Sequence, residues 1–513
     1  MPLPSWIASD ARVEANGSHA ASWSASELAG RVDEYAAMIS EACGQGAVVG
    51  LAADNSPEWI AADLAAQAAG ADLVPLPGFF SNEQVAHAVR ASAMEAVFSA
   101  DAMYAASLGF TDEVFARPGL SLFRSAARKH PQRSPSSESH KITFTSGTTQ
   151  APRGVILTTA QQLCTAQSLA SVAATLGIRR HLCALPLSVL LENVAGVYTS
   201  LMLGATCLCP SLEDLGISGA SGFDAERFLE AIAYDEPDSL ILLPQMLQSL
   251  LPRLARGTNI DARLRSLKFV SVGGAKTPPA LIAAARQLGM PVYEGYGLTE
   301  CASVVSVNLP GADRIGTVGR PLPGVAVRTT RHGELEVAGR PCAGYLALPG
   351  DESQAWFATG DLGTIDSDGY VSITGRKKNV LVTSFARNIS PEWPESLLLE
   401  DPLIVQAAVF GDAHPFLVAL LVPASPETED TALERAVQHA NSKLPEYARI
   451  RCWVRACQPF TALNGLATAN GRIRRAAVAE RYAAPLNALY EYARQPLEIH
   501  DHAGTAPLVK HCS

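Results

Sequence analysis

This 513-residue sequence lacks a convincing membrane-spanning run. Its most apolar region, Cys183 to Pro210, is interrupted by Glu192 and Asn193, leaving too short an uncharged stretch for a span of about 20 residues. A buried helix and strand are expected there instead. There is no basic excess either: 40 Lys and Arg against 50 Asp and Glu give a net charge of -10, which argues against a general nucleic-acid binder. The ten cysteines include no CxxC pair, so a reducing compartment fits better than a disulfide framework. Cys207 and Cys209, in "LGATCLCP", read as buried thiols of an apolar strand rather than metal ligands. The opening "MPLPSWIASD" has no basic region followed by an apolar stretch, so no secretory leader is expected and the cytoplasm is the expected compartment.

What is present is core-forming capacity. A hydrophobic content of 48% over this length suits two or more lobes rather than one core. "VDEYAAMISEAC" places Val32, Tyr35, Ala36, Ile39 and Cys43 at helical spacing, and "GAVVGLAA" follows as a strand. The alternation continues through "SPEWIAADLAAQAAGA", "DLVPLP", "HKITFTSG", "DSLILLP" and "LKFVSVGG". It predicts an α/β lobe of mostly parallel sheets flanked by helices, with ligands at strand ends. Past about residue 330, "GELEVAG", "GTIDSD" and "GYVSITG" predict a small β subdomain. A small α+β domain then follows, with expected bounds of 1–376 for the large lobe, 377–495 for the small one and a poorly ordered tail over 496–513. His500, His502 and His511 in that tail read as a fraying end, not a metal site.

The stretch "TFTSGTTQAPRGV", Thr143 to Val155, is too polar for a core. It is expected to be a strand-to-helix loop, with the helix starting near Thr158 or Thr159. Gly147 lets backbone approach a ligand, while Thr145, Ser146, Thr148 and Thr149 offer hydroxyls and amides, and Arg153 adds a cation. Such a loop suits phosphate. It does not match GxxxxGK[ST], and a Ser/Thr-rich loop by itself is more often a solvated turn.

Four further segments, "YEGYGLTE", "FATGDLG", "GRKKNVLVTS" and "ANGRIRR", follow it in order. Together the five resemble the successive signatures of the adenylate-forming (AMP-binding) superfamily of acyl-CoA synthetases, peptide-synthetase adenylation domains and luciferases. The likeness runs over about residues 25 to 490 and is greatest to long-chain fatty acyl-CoA synthetases. The resemblance implies ATP and Mg²⁺ as co-substrate and metal, a carboxylic acid that becomes an acyl-adenylate with loss of pyrophosphate, and a thiol acceptor, CoA first. It assigns the β- and γ-phosphates to Thr145 through Gly154, with Arg153 in place of a usual Lys. Tyr296 is implied to lie against adenine, Thr299 to touch phosphate or carboxylate, Glu300 to hold Mg²⁺, and Asp361 with Arg376 to hold the ribose. Lys378 falls at the implied hinge, about which the small lobe is expected to be mobile.

Two departures concern that lobe. Arg472 occupies the place of the family's adenylation lysine, with Arg474 or Arg475 as alternative cations. A guanidinium is broad and planar where an ammonium is a point charge. Phe385 and Ala386 replace a glycine pair of the implied thiol tunnel, which opens a carrier protein or an amine as alternative acceptors. For the acyl pocket, Val189, Leu190 and Leu191 with Gly273 and Ala275 form an apolar wall, and Gly274 between them is assigned to the ATP site. Medium- or long-chain fatty acids rank first as substrate, aromatic acids second and amino acids third, since "PLSVLLEN" holds no Asp to receive an ammonium. A degenerate nucleotide-binding protein is the non-enzymatic alternative.

Overall fold

The structure is a computed structural model describing residues 4–492, except 17–20, 117–118, 126–138, 146–151, 220–221, 257–261, 340–341, 347, 350–354, 385–386 and 469–470. Local chemistry sets its helices. Ser24 accepts from the Glu27 amide while Glu27 reaches back to the Ser24 amide, a reciprocal cap that starts the helix Ala25–Cys43. Val32, Tyr35, Ala36, Ile39 and Cys43 are buried along one stripe of it, as their spacing predicts. Among the described residues no helix is long and apolar enough to cross a membrane.

Two nine-stranded sheets dominate. The first runs in the order Arg320–Pro321, Ser303–Val307, Val292–Leu298, Phe269–Val272, Ser239–Leu242, Arg180–Leu182, Thr206–Leu208, Arg12–Ala15 and Ala21–Ser24. The second runs Leu348–Pro349, Gly344–Tyr345, Arg153–Thr158, His140–Thr145, Asp72–Pro75, Val48–Ala52, Ala96–Ser99, Ser121–Arg124 and Asp112–Phe115. Both are mixed: the parallel pairing expected from strand–helix alternation occupies their centres, and the outer strands are antiparallel. A four-stranded sheet, Ala326–Thr329, Glu334–Ala338, Phe357–Ile365 and Val371–Arg376, forms the small β unit.

A smaller C-terminal domain follows, built on the three strands Ile404–Phe410, Leu417–Pro423 and Ile450–Arg455. Leu398, Leu433 and Val437 pack on one face of this sheet, and Phe460, Val478 and Leu489 on the other. The segment "NVLVTS" supplies only the short strand Leu381–Val382, paired with Asn388–Ile389.

The strand-to-helix reading of Thr143–Val155 is corrected. His140–Thr145 pairs antiparallel with Arg153–Thr158, so the polar stretch joins two strands, with Thr145 opposite Arg153. Val155 and Leu157 are fully buried on one face and Ile156 packs on the core of the other, the apolar run of a strand covered on both sides. The helix begins afterwards, at Thr159, capped by Thr158.

The charged interruption of the apolar region is also resolved. Glu192 and Asn193 open a π-helix, Glu192–Tyr198, and are 0% and 1% exposed. Asn193 and the Tyr198 hydroxyl donate to Asp63 Oδ2 at 2.9 and 2.7 Å, and Lys141 Nζ lies 2.7 Å from Asp63 Oδ1. Cys207 and Cys209 are fully buried, as their setting predicts.

Candidate active site

The C-terminal ends of parallel strands expose backbone and side chains beyond the sheet, where ligands gather. In the first sheet these ends deliver Leu243, Gly273, Gly274, Tyr296, Thr299 and Glu300 to a cavity of about 870 Å³. The hairpin of the second sheet faces it with Thr145 and Arg153, and the β unit with Asp361 and Arg376. Lys378 and Arg472 come from beyond the β unit, and Val189, Leu190, Leu191 and Ala275 complete the set of described candidates on its walls. Ser146, Gly147, Thr148, Thr149, Phe385 and Ala386 lie outside the described residues.

Asp361 is the fixed point of this cavity. It is 3% exposed, accepts from the Tyr296 hydroxyl at 2.7 Å, and meets Arg376 Nε at 2.6 Å. Antiparallel pairing places Asp361 opposite Arg376, which explains how two residues fifteen apart come together. Burial, and then the Asp361 carboxylate, hold the Tyr296 hydroxyl above its ordinary range, so it remains a donor.

Glu300 lies in the short turn Thr299–Cys301 and accepts from the Tyr345 hydroxyl at 3.2 Å. Among the described residues no Lys, Arg or His forms an ion pair with it. A carboxylate on a cavity wall with neighbouring hydroxyl oxygens is a hard, uncompensated donor set, and such a set fits Mg²⁺. Tyr345 was not singled out in the sequence, which carries no motif around it.

Arg472 reaches the cavity from the small domain. Its Nε and Nη2 donate to the Gly274 carbonyl at 3.0 and 2.6 Å. Gly471 makes this approach feasible: its φ is +72°, and a Cβ there would stand 2.6 Å from Gln245. Of the alternative cations, Arg475 is engaged elsewhere, with Nη1 and Nη2 on the two oxygens of Glu395 at 2.6 and 3.0 Å. Arg474 stands at the N-cap position of the helix Arg475–Arg481 and makes no side-chain capping bond there. Partial removal from water, then Arg376 and Arg472, hold Lys378 below the usual lysine range, a sign of how closely the cations gather.

Sequence reasoning missed Glu294, which is 5% exposed on the cavity wall and accepts from the Thr277 amide at 3.0 Å. Burial pushes its carboxyl up to about 7. It also missed the deeper reach of the cavity to His181 and Ser239. The signal for that region was Glu192, a charge inside an apolar run.

Comparison with known proteins bears on the family and the fold. Long-chain-fatty-acid–CoA ligase FadD15 of Mycobacterium bovis is 35% identical over 246 residues, 42% of this chain and 41% of that protein. A 2-succinylbenzoate–CoA ligase of Bacillus licheniformis is 29% identical over 289 residues, 53% and 56% of the two. The chain thus spans about half the length of these curated relatives. The fold matches that of the anthranilate CoA ligase AuaEII, solved in complex with anthranoyl-AMP, with a TM-score of 0.74 at 19% identity over 93% of this chain and 94% of that one. Residues 8–352 match the AMP-binding enzyme family and 378–494 the AMP-binding enzyme C-terminal domain. With its strand-end cavity, ordered motifs and both matched regions, the chain belongs to the AMP-binding enzyme family.

Proposed function

We propose that this chain activates a carboxylic acid with ATP and passes the acyl group to a thiol, CoA in the first instance. In the first half-reaction a carboxylate oxygen bonds to the α-phosphorus as the bond to the bridging oxygen breaks, and pyrophosphate leaves. In the second, the thiol sulfur attacks the acyl carbon, loses its proton, and AMP departs. Neither step requires a protein nucleophile; both require anionic oxygens to be held in line and neutralised. The observation that carries this reading is the convergence of Arg153, Arg376, Lys378 and Arg472 on one cavity with a buried carboxylate, Asp361, and an apolar extension.

In this reading Asp361 accepts from the ribose hydroxyls, Tyr296 lies against adenine, and Thr145 and Arg153 bind phosphate together with Ser146, Gly147, Thr148 and Thr149. Gly274 borders the nucleotide. Glu300, beside Thr299, is the residue that would hold Mg²⁺, which when bound offsets phosphate charge. Arg472 steadies the charge that develops between carboxylate and α-phosphate. The small domain, about 377–495, turns near Lys378 to exchange Arg472 for the passage bearing Phe385 and Ala386, which separates the half-reactions.

Val189, Leu190, Leu191, Gly273 and Ala275 favour an acid with an apolar body, a medium- or long-chain fatty acid first. The relatives named for 2-succinylbenzoate and anthranilate support aromatic acids as the second reading. The test is a panel of such acids with ATP and Mg²⁺, scored for pyrophosphate release and then for thioester with CoA. Pyrophosphate with no acyl-CoA would keep the first half-reaction and reject the acceptor. No pyrophosphate from any acid, with ATP bound, would reject the activity.

A further inference from the structure

The cavity does not stop at the strand ends. It continues along the face of the first sheet past Ser271 and Ile241 to Phe269, Ser239 and His181. Gly273 lies four residue steps beyond Phe269, about 13 Å at the usual rise of a strand. At the far end His181, Ser239 and Phe269 stand side by side in register on neighbouring parallel strands.

This end is polar. His181 Nδ1 lies 2.9 Å from Ser239 Oγ, and Nε2 lies 2.9 Å from Glu192 Oε1. The other Glu192 oxygen accepts from the Leu185 amide at 2.9 Å. His181, Ser239 and Glu192 are 5%, 5% and 0% exposed. Both ring nitrogens and both carboxylate oxygens are therefore engaged. The hydroxyl of Ser239 has one donor and two acceptor positions, and its bond to His181 takes one of the three. The arrangement is built into the backbone: a Cβ on Gly196 would stand 2.1 Å from Glu192 Oε1 and 2.7 Å from His181 Nε2. Glycine inside a helix is unfavourable, so this turn gives up local stability to house the pair.

We infer that the acid accepted by this cavity has an apolar body and a neutral hydrogen-bonding group, such as a hydroxyl, at the end far from its carboxylate, where Ser239, held in place by the His181–Glu192 pair, receives it. A methyl terminus would seal the Ser239 hydroxyl against hydrocarbon with its remaining capacity unused. A second carboxylate would bring an uncompensated charge into a buried end beside Glu192, both of whose oxygens are already taken up by His181 and the Leu185 amide. The inference rests on reading the cavity as an acyl-activating site and specifies which acids that site takes.

The test measures binding and chemistry separately. Straight-chain acids from octanoic to tetradecanoic, with their ω-hydroxy and α,ω-dicarboxylic counterparts, are titrated into the full-length protein by calorimetry without ATP, and pyrophosphate release is scored in parallel. At the best-fitting length the ω-hydroxy acid is expected to bind about tenfold tighter than the plain acid. The dicarboxylic acid is expected to bind more weakly than the ω-hydroxy acid. Ser239→Ala is expected to bring the hydroxyl preference to within about twofold, by tightening the plain acid as well as weakening the ω-hydroxy acid. Plain acids binding as tightly as hydroxy acids at every length, or no acid binding at all, would overturn the inference; the comparison on the unaltered protein stands whether or not the variant folds. Hydroxyl-selective binding without pyrophosphate would uphold this end of the cavity and reject the activity, whereas unselective binding with pyrophosphate would do the reverse.

Discussion

Arg472 and Gly274, 198 residues apart, are joined by two hydrogen bonds from one guanidinium to one main-chain carbonyl. The small domain is thereby docked on the strand end that borders the cavity. Because the acceptor is backbone, the contact depends on the cation alone. Nε and Nη2 serve Gly274, which leaves Nη1 for the anion contact proposed above, a division of labour that a planar fork permits and an ammonium does not.

Arg472→Ala should therefore slow acyl-AMP formation about a hundredfold while sparing thioester formation from supplied acyl-AMP. Arg472→Lys should fall between the two, with a loss of about tenfold, equivalent to about 1.4 kcal/mol. Single-turnover assays of each half-reaction separate these effects. A lysine variant as fast as the parent would show that the double contact to Gly274 has no part in the chemistry.

Asp361→Ala removes the acceptor of Tyr296 and Arg376 together with the proposed ribose contact. ATP affinity should drop by about 1.5 to 3 kcal/mol, the worth of hydrogen bonds to a charged group. Calorimetric titration of nucleotide into the folded variant reads this directly. Undiminished affinity would confine Asp361 to holding its two protein partners.

Glu300→Gln keeps the shape and loses the charge. Nucleotide binding should persist without metal, and the Mg²⁺ concentration for half-maximal pyrophosphate release should rise by about tenfold or more. An unchanged Mg²⁺ dependence would assign the metal elsewhere.

Lys141 and Asp63 form an ion pair whose side chains are 3% and 0% exposed. Lys141→Met strands the Asp63 charge and should cost about 3 to 5 kcal/mol of stability. The double variant Lys141→Met, Asp63→Leu should recover part of that loss, since it buries no lone charge. Denaturant unfolding followed by tryptophan fluorescence supplies the comparison; a double variant less stable than the single one would mean that Asn193 and Tyr198 hold Asp63 adequately by themselves.

Glu294 predicts a pH dependence. Its folded carboxyl titrates at about 7, above the ordinary 4.5, so the folded state binds the extra proton between these values. Stability from this group is complete below about 4.5 and is lost as pH rises towards and through 7. Glu294→Gln retains a carbonyl for the Thr277 amide but does not titrate. Its melting temperature should fall less between pH 5 and 8 than that of the parent, and parallel profiles would rule out the Glu294 contribution.

The sequence made helices and the nucleotide motifs legible because both are local. Ser24 and Glu27 are three residues apart, and Thr299 and Glu300 lie in the short turn that directly follows the strand carrying Tyr296. The hairpin at Thr145 and Arg153 was misread because its polar connection carries the residue types of a strand-to-helix loop, and only pairing distinguishes the two. Nor does any spacing reveal that Asn193 meets Asp63, 130 residues away, or that Arg475 meets Glu395, 80 residues away. Such buried polar partners are brought together by sheet order, which no short motif encodes.

The π-helix Glu192–Tyr198 turns adjacent residues to different tasks, Glu192 to His181 and Asn193 to Asp63. Lys141, also on Asp63, lies on the strand that ends at Thr145. The wide turn therefore works as a common axle between the His181 end of the cavity and the strand leading to the proposed phosphate loop. Deleting one residue from it would restore the tighter α-helical pitch and swing both side chains off their partners at once. A natural insertion or deletion within these seven residues should accordingly alter both ends of the cavity together, rather than either one alone.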